Sequence, residues 1–170
     1  MQQQLDELMA RTGDMIAKAG HTARKSDSDG SWYFAPSGDN YRHVLVRDGL
    51  FVVGQVDRNN PEYDVFTSEY ARDTELFIVF WLCSSWRSQR RLPKLLTVPV
   101  PVTIDKVAPG FSLERDGSAW VLREAATGAE RRTSNASGLV HFSHYVNMSP
   151  EELREACLAP GGKPPFFPLT

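Results

Sequence analysis

Residues 67–93 read TSEYARDTELFIVFWLCSSWRSQRRLP, and every position from 76 to 83 is apolar. A run of this length is compatible with a buried strand or a buried helix, so the flanking residues decide between them. Thr67 or Ser68 can cap a helix, an acidic residue follows in its first turn, and arginines crowd the other end before a proline stops it. The pattern predicts a helix over residues 68–88 that is buried on all sides.

Strand patterns surround this helix. Residues 41–47 (YRHVLVR) and 50–56 (LFVVGQV) are separated by Asp48-Gly49, a pair that favours a two-residue hairpin turn because glycine accepts positive φ. A second Asp-Gly pair, at 116–117, predicts another hairpin. Further strands are predicted at 32–34, 63–66, 130–134 and 139–146.

The two ends of the chain predict further helices. Apolar residues at helical spacing between positions 5 and 19, followed by Gly20, predict a first helix. The string SPEE at 149–152 has the pattern of a capping box with proline at the first helical position, so it predicts the start of a last helix. In the central helix, Phe80 and Trp81 are expected to be fully enclosed.

The remaining segments predict loops and a tail. Residues 22–30 are polar and predict a loop, and residues 161–170 predict an extended tail. We therefore expect a single α+β domain over residues 1–170, a length that can bury a proper core. In this domain a curved, mostly antiparallel sheet packs around one long buried helix, with additional N-terminal and C-terminal helices.

Charge and hydropathy exclude some classes of partner. The chain of 170 residues has a formal net charge of −2 and a pI near 6.1, so it supplies no overall basic field for nucleic acid. Its N-terminus lacks the basic start and apolar core of a secretory signal, and its longest apolar run is far shorter than the roughly 20 residues that cross a bilayer. We expect a cytoplasmic protein that binds neither nucleic acid nor membrane.

No local motif indicates catalysis. The sequence contains no phosphate-binding loop, no nucleophile elbow and no HExxH string. His141 and His144 fall in a predicted strand, where positions three apart face opposite sides, so we interpret them as structural. A catalytic site assembled from distant residues is left open. The local patterns predict no catalytic residue, no metal and no cofactor.

The cysteines do not indicate a metal site either. Cys83 and Cys157 are the two cysteines of the chain, and neither has a second cysteine or a histidine at metal-binding spacing. We favour reduced thiols, and a disulfide between the two is left open.

Charges are clustered along the chain. Between positions 57 and 75, six acidic residues stand against two basic ones, and residues 87–94 carry four basic residues. Both clusters are compatible with solvent-exposed residues. The acidic cluster would cover the loop before the helix and its first turn, and the basic cluster its last turn, which suits the helix dipole. The alternative is that the acidic loop faces a basic surface on a partner.

Several strings resemble one known family. The meander YRHVLVRDGLFVV, the segment VFTSEYARDTELFIVFWLCSSWRSQRRLP, the string APGFSLERDG and the string HFSHYVNMSPEEL are similar to the immunity proteins grouped with the antitoxin of the tuberculosis necrotizing toxin, often called immunity protein 61. The resemblance covers roughly residues 31–157. It implies a cytoplasmic protein that binds a secreted toxin of the NAD glycohydrolase type before export and blocks its NAD site.

Charge and exposure define the predicted interface, because the resemblance supplies no contact residues. A site built to hold pyrophosphate should be electropositive, so carboxylates would be steered toward it. An aromatic side chain beside them can anchor the contact. The predicted partner-binding residues are Trp32, Asp57, Arg58, Asn59, Asn60, Glu62, Tyr63 and Asp64.

Two other functions are compatible with the sequence. One is an enzyme or small-molecule-binding domain whose cleft is lined by His141 and His144. The other is a secretion chaperone that escorts a partner without inhibiting it. The sequence leaves open the identity of the toxin, the face that binds it and the oligomeric state.

Overall fold

The computed structural model describes residues 1–35, 41–57 and 62–169. Within these ranges the chain forms four α-helices and one eight-stranded antiparallel sheet. The helices are α1 (Gln2–Lys18), α2 (Ala71–Gln89), α3 (Ala136–Ser143) and α4 (Pro150–Leu158). The strands are β1 (Thr22–Lys25), β2 (Trp32–Ala35), β3 (Tyr41–Arg47), β4 (Leu50–Val56), β5 (Tyr63–Ser68), β6 (Leu95–Leu96), β7 (Phe111–Asp116), β8 (Ala119–Glu124), β9 (Glu130–Thr133) and β10 (Phe167–Pro168). The architecture confirms the expected α+β class.

The first five strands of the sheet are arranged in chain order, and the last three are arranged in reverse order beside them. Its strand order is β1-β2-β3-β4-β5-β9-β8-β7, and β6 pairs separately with β10. Both predicted hairpins are present, but the second turns at Gly117-Ser118 and not at Asp116-Gly117, because Asp116 still pairs with Ala119. Asp48 and Gly49 have φ of 53° and 75°, so both turn residues adopt the left-handed conformation that a type I′ turn requires. The second hairpin joins β7 to β8 through Gly117, which has φ of 60°.

The start of the central helix differs from the prediction. Thr67 and Ser68 belong to β5, and the N-cap of α2 is Tyr70, which has extended backbone angles. The hydroxyl of Ser68 still serves this end of the helix, because it accepts from Tyr70 N–H at 3.1 Å and donates to Asp73 at 3.1 Å.

The central helix is also less enclosed than predicted. Leu76, Ile78, Val79 and Leu82 are buried, but Phe80 and Trp81 are only half-buried, so the expectation of full enclosure is wrong. The Phe80 ring lies 5.0 Å from Tyr145 and 5.6 Å from Phe166 of the tail, measured between ring centroids.

Buried charges fix the first turns of α2. Asp73 pairs with Arg131 on β9 at 2.6 Å, and both side chains are at most 5% exposed. Glu75, also buried, accepts from Arg11 on α1 at 2.6 Å. A buried charge is tolerated only when a partner compensates its lost hydration. These two pairs therefore fix α2 against the sheet and against α1.

A buried arginine fixes the other end of α2. Arg87 donates to the carbonyl oxygens of Pro93 at 2.9 Å, Cys157 at 2.9 Å, Ala159 at 2.7 Å and Pro160 at 2.7 Å. The last three carbonyls lie at the end of α4, where carbonyl groups have no partner within the helix. One guanidinium thus satisfies the end of α4 and attaches it to α2.

Two segments contradict the sequence-based assignment. Residues 139–146 are not a strand, because α3 covers most of them: the side chain of Asn135 caps this helix by accepting from Ser137 N–H at 3.0 Å. Residues 22–30 are not all loop, because β1 pairs with β2 from Thr22↔Ala35 to Lys25↔Trp32. All four residues of β1 are exposed, so no apolar alternation marks this edge strand.

The C-terminal segments agree better with the sequence. Ser149 and Glu152 form the predicted capping box of α4, with Pro150 at its start. The C-terminal segment makes a turn at residues 164–165, where Phe166 N–H donates to Lys163 O at 2.8 Å. Beyond this turn, β10 adds to β6, with Phe166 buried beside it. No helix in the described ranges is both long and apolar enough to cross a membrane.

Removing the carboxylate of Asp73 tests the role of the buried pair. Asp73→Ala leaves Arg131 buried with weaker contacts, and should lower the free energy of unfolding by about 3 kcal/mol. Asp14→Ala, at an exposed position of α1, should change it by less than about 0.5 kcal/mol. Urea titration of both variants measures the difference. Equal stabilities would show that the Asp73–Arg131 pair does not fix α2.

Candidate partner-binding surface

The predicted acidic interface lies where β4 ends and β5 begins. Asp57, Glu62, Tyr63 and Asp64 are described, whereas Arg58, Asn59 and Asn60 lie outside the described residues. A β-bulge helps to position the described ones, because the pairing of β4 with β5 skips one residue, Val65. Bulges bend a strand and redirect its side chains.

Tyr63 and Asp57 form one hydrogen-bonded unit. The side chain of Tyr63 is exposed, and its hydroxyl donates to Asp57 Oδ2 at 2.9 Å. The amide of Gln55 donates to Asp57 Oδ1 at 2.6 Å. The hydrogen bond to Asp57 raises the pKa of Tyr63, so the phenol stays protonated at neutral pH. The unit presents an aromatic ring to solvent and holds a carboxylate beneath it.

Glu62 lies against a buried histidine. His43 Nε2 and Glu62 Oε1 are 2.9 Å apart, but they are not aligned as a hydrogen bond, so this contact is one of charge and proximity. The imidazole lies directly over Gly54. A Cβ atom at position 54 would fall 2.0 Å from His43 Nε2, so only glycine leaves room for the ring.

Asp64 is engaged more loosely. Its carboxylate pairs with Arg47 of β3, and both side chains are more than a third exposed. Exposed ion pairs typically contribute less than about 1 kcal/mol. Asp64 can therefore exchange Arg47 for a charged group on a partner at little cost.

Trp32 is not part of this surface. It lies on β2, its indole N–H donates to Asp6 of α1 at 2.9 Å, and its half-buried ring packs against the core. Strands β3 and β4 separate β2 from β5. The structure thus brings Asp57, Glu62, Tyr63 and Asp64 together and places Trp32 elsewhere.

Two pockets flank the acidic surface. The first, which we term the Arg42 pocket, has a volume of about 220 Å³ and is open to solvent between the sheet and α2. It is lined by Phe34, Tyr41, Arg42, Gln55, Val56, Asp57 and Trp81. The second is a cleft of about 380 Å³ between β5 and the β8–β9 hairpin, lined by Tyr63, Asp64, Thr67, Ser118, Ala119, Arg132, Thr133 and Ser134.

Apart from Asp57, the residues of the Arg42 pocket were not predicted from the sequence. One signal was available: in YRHVLVR, Arg42 shares its face of the strand with Val44 and Val46, which is the face that meets the core. A charged residue on a face that meets the core is unusual, and it indicates a site with a specific role. The sequence predicts that Trp81 is enclosed in the core, and this prediction leaves no place for its ring in a pocket wall.

His141 and His144 hold the chain after β6 in place. His141 Nδ1 accepts from Thr97 N–H at 3.3 Å and lies 2.8 Å from the Thr97 hydroxyl, and His144 Nε2 lies 2.8 Å from the carbonyl oxygen of Lys106. His141 lies on α3 and His144 directly after it, so the predicted strand is wrong, although both imidazoles make structural contacts. Burial lowers the pKa of His141 to about 4, and the charge of Lys94 acts in the same direction.

The cysteines are also buried. Cys83 and Cys157 are free thiols in contact, and the hydrogen bond between them, together with burial, raises the pKa of Cys157 far above its ordinary value. A thiol with a raised pKa is a poor nucleophile. Among the described residues, no group of three or more histidine, cysteine or acidic side chains is placed to hold a metal ion.

Comparison with known proteins identifies relatives over most of the chain. The family model described as "Immunity protein 61" matches residues 15–165. The protein named "Immunity factor for TNT" from Mycobacterium tuberculosis and its homolog from Mycobacterium bovis are each 25% identical over 143 residues, covering 82% of this chain and 80% of theirs. The solved structure of Rv3902c from M. tuberculosis has the same fold, with a TM-score of 0.79, 22% identity and 91% of each chain covered.

Acidification tests the structural role of His141. Its pKa near 4 lies below the value of about 6.5 for an unfolded chain, so between these values the unfolded state binds a proton that the folded state does not. Stability should therefore fall as the pH decreases from about 6.5 to about 4, and His141 should account for roughly 1–2 kcal/mol of the loss at pH 5. Burial also lowers the pKa of His21, so His21 contributes to the same pH dependence whether or not His141 is replaced.

The matched variant is His141→Gln, which retains a polar group but does not titrate. Urea titrations at pH 7 and pH 5 should show a smaller loss of stability for this variant than for the parent protein. An equal loss in both proteins would show that His141 does not contribute to the pH dependence.

Proposed function

The chain belongs to the immunity protein 61 family, and from this premise we propose that it neutralises a cognate toxin of the NAD glycohydrolase type by binding to the toxin and blocking its NAD site. It acts as a stoichiometric inhibitor in the cytoplasm and performs no chemistry of its own. The observation that carries this proposal is the family match over residues 15–165.

The named relatives support the antitoxin role. Two of them carry the name of an immunity factor for TNT, and the match extends over most of both chains. The class of toxin rests on the resemblance of the strings around α2 and α4 to the antitoxin of the tuberculosis necrotizing toxin. An inhibitor of this kind needs a rigid surface with shape and charge complementary to the toxin, and it needs no catalytic group.

The acidic residues where β4 ends and β5 begins supply such a surface. Asp57, Glu62 and Asp64 lie on two adjacent strand ends around the exposed ring of Tyr63. A toxin site that binds pyrophosphate has a positive potential, and carboxylates on the inhibitor are steered toward it and can occupy the phosphate positions. Tyrosine suits the centre of such a contact, because it buries a large ring while its hydroxyl keeps a hydrogen bond.

The alternatives gain less support. An enzyme with a cleft at His141 and His144 would need imidazoles that are available to a substrate, but the structure engages both with Thr97 and Lys106. A secretion chaperone would share the surface described above. The two roles separate by activity, because a chaperone leaves the toxin active whereas an immunity protein does not.

Neutralisation is the direct test. Mixed with its cognate toxin at a one-to-one molar ratio, the protein should abolish NAD hydrolysis and leave NAD itself unmodified, because it closes the active site without catalysing a reaction. An NAD-depletion assay measures both effects. Toxin activity that survives a molar excess of the protein, or consumption of NAD by this protein alone, would contradict the proposal.

Charge reversal tests the position of the interface. Glu62→Lys combined with Asp64→Lys should slow association with the toxin by roughly tenfold or more at low salt and flatten the salt dependence of the association rate. Thermal stability should change little, because both carboxylates are more than a third exposed. Stopped-flow measurements over a range of ionic strength give the rates.

The matched control reverses two exposed acidic residues elsewhere. Glu151→Lys combined with Glu155→Lys makes the same change of charge on α4 and should leave association nearly as fast as in the parent protein. If the two double variants slow association equally, only the overall charge matters, and the interface lies outside the Glu62–Asp64 region.

A further inference from the structure

Arg42 is a half-buried charge with an unused donor. Its side chain points from β3 toward the helices, and its guanidinium carbon lies 4.5 Å from the ring centroid of Trp81. The Nη1 atom is buried and has no hydrogen-bond partner among the residues that the structure describes. Burial lowers the pKa of Arg42 to about 10, so the group still carries its charge at pH 7.

Nearby Asp57 does not satisfy this donor. Its two carboxylate oxygens accept from Tyr63 and from Gln55, and the influence of Asp57 on Arg42 is one of charge at a distance. An unsatisfied donor in the interior is costly, and more so when it is charged. The pocket therefore lacks a hydrogen-bond acceptor for its own arginine.

The chemistry of the pocket specifies what would supply that acceptor. A carboxylate can accept two parallel N–H donors from a guanidinium, and such charge-assisted bonds are about twice as strong as neutral ones. The rings of Phe34 and Trp81, 5.4 Å apart between centroids, provide apolar walls for the carbons of a side chain. A backbone carbonyl would add no negative charge to that of Asp57. Because Nη1 is enclosed, an acceptor from a partner reaches the guanidinium from the side that lines the pocket.

We propose that the Arg42 pocket receives an aspartate or glutamate side chain of the toxin, whose carboxylate pairs with the guanidinium of Arg42 against the ring of Trp81. This inference rests on the proposed function, because the occupant comes from the toxin. The pocket shares Asp57 with the acidic surface, so the same contact would bury both. The interface then combines acidic side chains at the rim with one arginine at its base, and this pattern of both signs fixes the orientation of the toxin.

Two substitutions of Arg42 test this pairing. Arg42→Gln and Arg42→Met remove the charge and keep much of the volume, and each should weaken toxin binding by at least roughly tenfold in isothermal titration calorimetry. Neither should lower the urea midpoint of unfolding, because both remove a half-buried charge whose Nη1 donor is unsatisfied. Arg115→Gln, at an exposed position in the β7–β8 hairpin, is the control and should bind as the parent protein does.

A double-mutant cycle identifies the partner residue. Each exposed Asp or Glu of the toxin is changed to Asn or Gln and measured against both the parent protein and Arg42→Gln. One of these changes should weaken binding to the parent by at least roughly tenfold and have little further effect on binding to Arg42→Gln.

The outcomes separate the two claims. If the parent protein does not bind the toxin, the proposed function and this inference fail together. If the parent binds and the Arg42 variants bind within twofold of it, only the inference fails. The inference also fails if the variants lose stability along with affinity, since that result indicates a structural arginine, or if no acidic residue of the toxin couples to Arg42.

Discussion

The fixed position of α2 is the constraint on which the rest of the structure depends. Most of its apolar middle is buried, and charges near both of its ends are buried as well. Asp73 pairs with Arg131 of β9, and Arg87 donates to the carbonyl groups at the end of α4. Breaking a buried pair leaves an uncompensated charge in the interior. If the helix slid or rotated, one of these buried charges would lose its partner, so the face that α2 presents to the sheet is fixed.

The fixed helix in turn shapes the proposed binding surface. Trp81 extends from α2 over Arg42 and Phe34, and it forms one wall of the pocket beside the acidic strand ends. The bulge in β5 and the hydrogen bond to Asp57 hold Tyr63 above this site. A surface that is ordered before binding does not lose further conformational entropy in the complex. In the proposed complex, the described residues Asp57 and Tyr63 would meet the toxin already held by their mutual hydrogen bond.

Much of the fold could be predicted because its signals are local. Both hairpins and the capping box of α4 depend on residues that are adjacent in the chain, and the structure contains all three. The strand predicted at 139–146 is wrong, because the apolar positions of this segment fit a short helix as well as a strand. Asn135 caps that helix, and the strand prediction did not take this cap into account. The acidic strand ends were predicted from charge. The pattern YRHVLVR marks Arg42 as a charged residue on a core-facing row, but its contact with Trp81 depends on tertiary packing and could not be predicted.

The central claim is that the protein binds the toxin through the end of the sheet where β4 meets β5. Hydrogen–deuterium exchange of the protein, alone and in complex with its toxin, tests it most directly. The account predicts slower exchange in peptides that cover residues 41–44, 54–57 and 62–66, and no change in peptides from α4. Protection confined to α4, β6 or the tail, with these strand ends unaffected, would contradict it.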